Sequence, residues 1–313
     1  MSEGAGGLVL GRLGPEGRDE GARLIHAALR AWYGQHLNQP ERFGAAWEPF
    51  RIFPEEYAAL DPGGALTARD ARTGQLVGLC FYHPRPSHFS VGIVATAPEA
   101  GGRGVARAMV EAVLALADAA DLPVRLVSSL MNLDSFSLYT RLGFVPGAIF
   151  QDLQFPEGAG LPPAAVGEGS LRAAEAGDLE ELAALERELT GLERGQDLAF
   201  LLGNASGCWG CLVLRAPGGE LVGYLGCFQS GETRMLGPGL MRDEGAALAL
   251  LGAQLSAPGW GRAVFLVPSR SAGLVAALYG AGARNVELHV AQVRGRGREV
   301  GGVVIPTFLP ESG

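Results

Sequence analysis

The stretch Val91–Ala120, VGIVATAPEAGGRGVARAMVEAVLALADAA, decides how the rest of this chain is read. It opens with the apolar run Val91–Val94, which has the length and composition of a buried strand. A turn at Pro98-Glu99-Ala100 leads into Gly101-Gly102-Arg103-Gly104-Val105-Ala106. A helical period comes next, with Val105, Met109, Ala112 and Leu116 on one stripe and Arg107, Glu111 and Asp118 off it. A strand feeding a glycine-rich turn that opens a helix is an anion trap. Glycines let the backbone turn its N–H groups inward, and the first helical turn favours negative charge. Arg103 adds a positive charge, so the expected guest is a phosphate or pyrophosphate.

The familiar phosphate loops do not match. A P-loop needs Gly-Lys-Ser/Thr, and all 25 basic residues of this chain are arginine. In G-x-G-x-x-G the third glycine would stand at Arg107. Pro98-Glu99 followed by Gly-Arg-Gly-Val-Ala instead resembles the acetyl-CoA pyrophosphate loop of the GCN5-related N-acetyltransferase (GNAT) family, Gln/Arg-x-x-Gly-x-Gly/Ala. Gly104 and Ala106 take its last two positions. Gly101 stands where Gln or Arg is usual, a position that contributes mostly a backbone amide. Downstream, Val124–Ser128 reads as a strand, followed by Asn132-Leu-Asp-Ser135-Phe-Ser-Leu-Tyr139-Thr-Arg-Leu-Gly143-Phe144. This is similar to the family segment Asn-x-x-(Ala/Ser)-x-x-x-Tyr-x-x-x-Gly-Phe. The resemblance covers residues 8–155.

The resemblance implies an α/β fold and acetyl-CoA as acyl donor. Val94, Ala95 and Thr96 would pair with pantetheine, and Gly101, Gly102, Arg103, Gly104, Val105 and Ala106 would hold the pyrophosphate. Asn132, Ser135 and Tyr139 would approach the pantetheine and the sulfur. Tyr139 is the expected general acid, because a phenol aimed at the sulfur can protonate the departing thiolate. Many members carry a Glu six residues before the loop proline, but that position here is Gly92. Asp134 and Glu48 are alternative bases by residue type only. His83-Pro84-Arg85-Pro86-Ser87-His88 reads as a loop before the central strand, and His88 is a candidate for acceptor binding or proton removal. No third ligand at a sensible spacing supports a metal there. The aromatic and proline-rich segment from Trp32 to Pro54 either forms an apolar acceptor pocket or packs as a cap on the sheet.

Phe155-Pro156 through Gly169 has linker composition, and the residues beyond it echo the first half. Gly219-Glu-Leu-Val-Gly223 repeats Gly74-Gln-Leu-Val-Gly78, Arg262–Val267 echoes Pro123–Ser128, and Gly282-Ala283 stands where Gly143-Phe144 stood. The expectation is two tandem GNAT-like domains, each a mixed twisted β-sheet flanked by α-helices. The acetyltransferase domain spans 1–155, the linker 156–169, and a degenerate copy 170–313. Pairing Pro238 with Pro98 sets Met241-Arg242-Asp243-Glu244 opposite Gly101–Gly104. A carboxylate about 4 Å from a phosphate costs roughly 4 kcal/mol at an effective dielectric near 20. Leu278 falls opposite Tyr139 and Ser271 opposite Asn132, so the second copy is expected not to bind CoA. Its job would be structural, acceptor-shaping or dimer-forming.

Global features narrow the function. A net charge of −8 argues against nucleic acid, and Arg294–Arg298 reads as a solvated turn. Four cysteines in 313 residues do not make a disulfide framework, and Cys208-Trp-Gly-Cys211 reads as two ordinary thiols. No basic and long apolar leader opens the sequence and no apolar run reaches about 20 residues, so a cytoplasmic protein without a membrane partner is expected. The functional expectation is acetyl transfer to an amine of a small molecule or peptide, with a homodimer as the candidate assembly. The alternative is a non-catalytic acyl-CoA-binding sensor or scaffold.

Overall fold

The structure, a computed structural model, describes residues 3–4, 7–159, 161, 169–297 and 300–307. Contacts divide the chain into two compact units, Met1–Pro84 with Phe89–Val124, and Arg85–His88 with Arg125–Gly313.

The first unit places strands β1 (Glu3–Gly4), β2 (Leu8–Arg12), β3 (Ala65–Asp70), β4 (Leu76–Arg85) and β5 (His88–Thr96) side by side in chain order. Helices α1 (Arg18–Leu37) and α2 (Ile52–Leu60) connect β2 to β3, and α3 (Val105–Ala119) comes after β5. The pleat of β4 sorts these helices onto two faces. A Cβ on Gly78 would stand 2.5 Å from Val105 and 2.9 Å from Met109, so α3 rests directly on the strand backbone there. Phe81, of opposite parity, stacks on Tyr57 of α2 with ring centroids 4.4 Å apart.

Two expectations change here. Helix α3 buries Val105, Met109, Val110, Val113, Leu114 and Ala117, while Leu116 is 41% exposed. Val110, Val113 and Ala117 form a second stripe of the same period, buried beside Val105 and Met109, so the buried face is wider than expected and leaves Leu116 outside it. The loop expected over His83–His88 shrinks to Pro86-Ser87, because β4 runs to Arg85 and β5 starts at His88. Both histidines are therefore strand residues, and both are fully buried.

The second unit starts with β6 (Val124–Ser129), α4 (Leu133–Arg141) and β7 (Val145–Gln154). It continues with β8 (Ser170–Ala173), α5 (Leu179–Thr190), α6 (Gly195–Gly203), β9 (Trp209–Arg215), β10 (Leu221–Ser230) and β11 (Thr233–Met241). Helix α7 (Glu244–Leu255), β12 (Val264–Pro268), α8 (Ala272–Gly280), β13 (Arg284–Arg294) and β14 (Val303–Ile305) complete it. The strand order is β6-β13-β7-β12-β11-β10-β9-β8, with β14 on β11.

That order contains an exchange. Each half ends in a helix and a last strand, α4–β7 in the first and α8–β13 in the second. Strand β7 stands against β12, with Leu266 opposite Asp152. Strand β13 stands beside β6, where Leu130 N–H donates to the Leu288 carbonyl at 2.8 Å and Gln292 Nε2 donates to Ser128 Oγ at 3.0 Å. The two exchanged strands pair with each other, antiparallel, with Glu287 opposite Asp152.

Helices α7 and α8 cover one face, packing Leu250, Leu251, Leu274 and Leu278 on Leu153, Phe265 and Val267. Beneath α5, Arg194 Nε donates to Glu186 Oε2 at 3.2 Å and the Tyr224 hydroxyl donates to Glu186, all three buried. Of the linker 156–169, residues 160 and 162–168 lie outside the described residues, as does Arg298 of the arginine-glycine run. Leu161 is buried in the second unit's core. The architecture is α/β with two tandem halves. No helix among the described residues is long and apolar enough to cross a membrane.

Candidate functional site

In the first unit, β5 ends at Thr96 and eight residues, 97–104, separate it from α3. Val94 and Thr96 are half-buried and Ala95 is buried at the strand's end. Gly102 and Gly104 both take φ of +75°, the left-handed region that glycine enters at no steric cost. Nothing lies within 4 Å of where a Cβ would stand on either. Gly104 is the N-cap of α3, with no capping side chain and no acidic residue in the first turn. The first intrahelical bond runs from Ala108 N–H to the Gly104 carbonyl at 2.9 Å, so the N–H groups of Val105, Ala106 and Arg107 have no partner inside the helix. An uncapped helix start free of carboxylates, under an open glycine turn, suits an anion. Arg103 sits on this turn, but its guanidinium bonds Asp70 at 2.7 Å. That bond, with the Thr73 and Arg72 amides, lowers the Asp70 carboxyl to about 2.

The second unit holds Asn132, Ser135 and Tyr139 together on α4. Asn132 is the helix N-cap: its Oδ1 accepts from Ser135 N–H at 3.0 Å, and Ser135 Oγ donates to the Asn132 carbonyl at 2.9 Å. With Oδ1 committed to the cap, Nδ2 is the half of the amide that can serve a ligand. Tyr139 is 6% exposed and meets Phe144 edge to face at 5.7 Å. Gly143, at φ +88°, closes the helix, and Phe144 N–H returns to the Tyr139 carbonyl at 3.0 Å. His88 opens β5 beside the hairpin tip, its Nδ1 2.9 Å from Ser87 Oγ. The same tip is fastened by Arg85, whose Nε donates to both carboxylate oxygens of Asp197 at 2.8 Å, and by Ser87 Oγ accepting from Glu193 N–H at 2.8 Å.

The second copy's counterpart is built differently from the sequence pairing. Pro238 lies inside β11 rather than after it, so it is not the equivalent of Pro98. Only Arg242 and Asp243 separate β11 from α7, and the N-cap that matches Gly104 is Asp243, not Glu244. Asp243 Oδ1 accepts from Ala246 N–H at 2.8 Å, and Glu244 Oε2 accepts from Leu274 N–H at 2.8 Å at the start of α8. The loop is deleted, and protein carboxylates occupy both helix starts. Leu278 is fully buried, and Ser271 is the N-cap of α8 without a side-chain bond.

Some groups were beyond sequence reasoning. His83 Nδ1 lies 2.5 Å from Asp61 Oδ2, and no local signal connects residues 22 positions apart. Asp152, Glu287 and His289 gather on the exchanged strands with potential ligand atoms within 4.8 Å of one another. None of the four cysteines forms a disulfide among the described residues. Burial pushes the Cys227 thiol up to about 11 and raises the Cys211 thiol as well, which disfavours the reactive thiolate.

Comparison with known proteins places the chain. Residues 24–144 match the model of the acetyltransferase (GNAT) family. No curated protein matches. A candidate acetyltransferase of Pyrococcus horikoshii is similar in structure with a TM-score of 0.72 and 13% identity, over 97% of this chain and 94% of that one. A GCN5-related N-acetyltransferase of Sphaerobacter thermophilus aligns with a TM-score of 0.64 and 17% identity, over 94% and 97% of the two chains. A tandem GNAT protein from the clavulanic acid biosynthesis pathway aligns with a TM-score of 0.59 and 16% identity, over 93% and 99%. At these identities the likeness is one of fold. The chain has a tandem GNAT-like fold, and residues 24–144, in its first half, match the acetyltransferase (GNAT) family model.

Proposed function

We propose that the protein transfers an acetyl group from acetyl-CoA to an amine of a small molecule or peptide. The observation that carries this reading is the contrast between two helix starts. At α3 a glycine N-cap at φ +75° leaves the amides without a protein acceptor inside the helix, while at α7 Asp243 caps the equivalent place. One half keeps an anion site that the other half fills with its own carboxylate.

Bound acetyl-CoA would supply an acetyl thioester. The amides of Gly102, Gly104, Val105 and Ala106 would hold its pyrophosphate, with Arg103 as a nearby charge, while the Gly101 and Arg103 amides donate to the Pro98 and Ala100 carbonyls. The Val94–Thr96 backbone would pair with pantetheine, and Asn132 Nδ2, with Ser135 ordering the helix start, would orient it. Tyr139 would donate its hydroxyl proton to the departing sulfur. The second copy, without a loop, would support the fold and shape the acceptor site.

The test is single-turnover thiol release from acetyl-CoA in the presence of pooled amines, for wild type and Tyr139→Phe. Wild type should release thiol. The variant keeps the ring and should bind acetyl-CoA normally while reacting about 10- to 1000-fold more slowly. Acetyl-CoA bound without any release would favour an acyl-CoA sensor.

A further inference from the structure

Two buried polar groups of the first unit have no part in that chemistry. His83, on β4, is fully buried, and its ring stacks on Tyr57 with centroids 4.9 Å apart. Its Nδ1 faces Asp61, the residue that ends α2. A carboxylate accepts, so Nδ1–H is the donor of this pair, and in the neutral ring that tautomer presents a lone pair at Nε2. Nε2 is buried and has no hydrogen-bond partner among the described residues. The same is true of Ser90 Oγ on β5, the strand beside β4. His83 and Ser90 stand two residues from Arg85 and His88, the ends joined by the two-residue tip. A regular hairpin of that kind sets such residues side by side on one face. A buried lone pair and a buried hydroxyl together fit a guest that donates hydrogen bonds. Two residues beyond Ser90 is Gly92, where the carboxylate base is missing.

Resting on the acetyltransferase reading above, we propose that His83 is the general base, that Asp61 is its positioning residue, and that the acceptor is a primary ammonium bound between His83 Nε2 and Ser90 Oγ. His83 Nε2 takes one proton from the ammonium, and the imidazolium formed is held by Asp61. The freed nitrogen pair bonds the acetyl carbon and the C–S bond breaks, its electrons going to sulfur. The new amide nitrogen loses a second proton as the thiolate gains one, and His83 returns its proton to solvent. The products are an acetamide, CoA thiol and one proton.

The experiment uses the full chain, acetyl-CoA, and a panel of spermidine, tyramine, glucosamine and a short peptide. Retention on immobilised CoA and single-turnover thiol release are measured for wild type, His83→Gln, His83→Ala and Asp61→Asn. All should retain CoA alike, while thiol release falls roughly 10²-fold or more in His83→Gln. Asp61→Asn should lower kcat with KM for acetyl-CoA unchanged, and free imidazole should restore part of the His83→Ala rate. If the His83 variants do not fold, Asp61→Asn and Ser90→Ala decide the matter by the same split. Wild-type rates in folded His83→Gln or Asp61→Asn would overturn the assignment, as would a wild type that retains CoA and acetylates no amine of the panel. A wild type that fails to retain CoA would instead overturn the acetyltransferase reading, and this proposal with it.

Discussion

The guanidinium of Arg103 is held 2.7 Å from the Asp70 carboxylate, so a phosphate at the loop would compete for a cation already in use. Asp70→Asn keeps an oxygen acceptor for the Arg72 and Thr73 amides, removes the charge and replaces the oxygen facing Arg103 with an NH2 donor. Acetyl-CoA should then bind roughly two- to five-fold more tightly, the modest scale of exposed ion pairs. The pH dependence has a definite sign. The Asp70 carboxyl is depressed to about 2 in the folded protein, below its ordinary value of 3.8, so the pair contributes above pH 4 and is lost as pH falls toward 2. The gain in affinity should therefore be constant between pH 5 and 8, as read by fluorescence titration with acetyl-CoA. Weaker binding in the variant would mean that Arg103, left unpaired, does not serve the loop.

Among elements, the β5–α3 connection was the most legible in sequence, because its glycines signal positive φ and its helix has a clear period. Helix α4 was bracketed by Asn132 and Gly143 for similar reasons, a cap at one end and a left-handed residue at the other. The echo between Gly74–Gly78 and Gly219–Gly223 identified β4 and β10 as equivalent, each ten residues long. What failed was the second loop, since a shared proline suggested a register that a deletion had destroyed. The two His residues of the hairpin were misplaced because prolines at 84 and 86 read as breakers, although β4 continues through Pro84.

Gly104→Glu tests the first connection directly. It puts a carboxylate at the α3 start, as Asp243 does at α7, with open space around the Cβ. The left-handed φ costs about 1 kcal/mol for a residue other than glycine. The variant should remain folded, with a small fall in melting temperature by calorimetry, and should lose CoA retention. Native-strength retention would refute the loop's role.

At the scale of the whole molecule, the exchange of β7 and β13 was invisible in sequence. Either strand reads as an ordinary last strand, and nothing local specifies which β-edge it joins. The consequence is that neither half is complete within its own segment of chain. A protein cut to residues 1–155 lacks β13, leaving Leu130 N–H, Ser128 and the β13-facing edge of β7 without their partners. It should be insoluble or molten by near-ultraviolet circular dichroism, and co-expression with residues 156–313 should restore a folded complex. A cooperatively melting 1–155 fragment would show that the exchange is dispensable.

The asymmetry between the halves leads to the central claim, that only the first binds the acyl donor. Calorimetric titration of the full chain with acetyl-CoA measures it most directly. One site per chain, abolished by Gly104→Glu, is the expected result. Two sites per chain, or one site that survives Gly104→Glu, would contradict it.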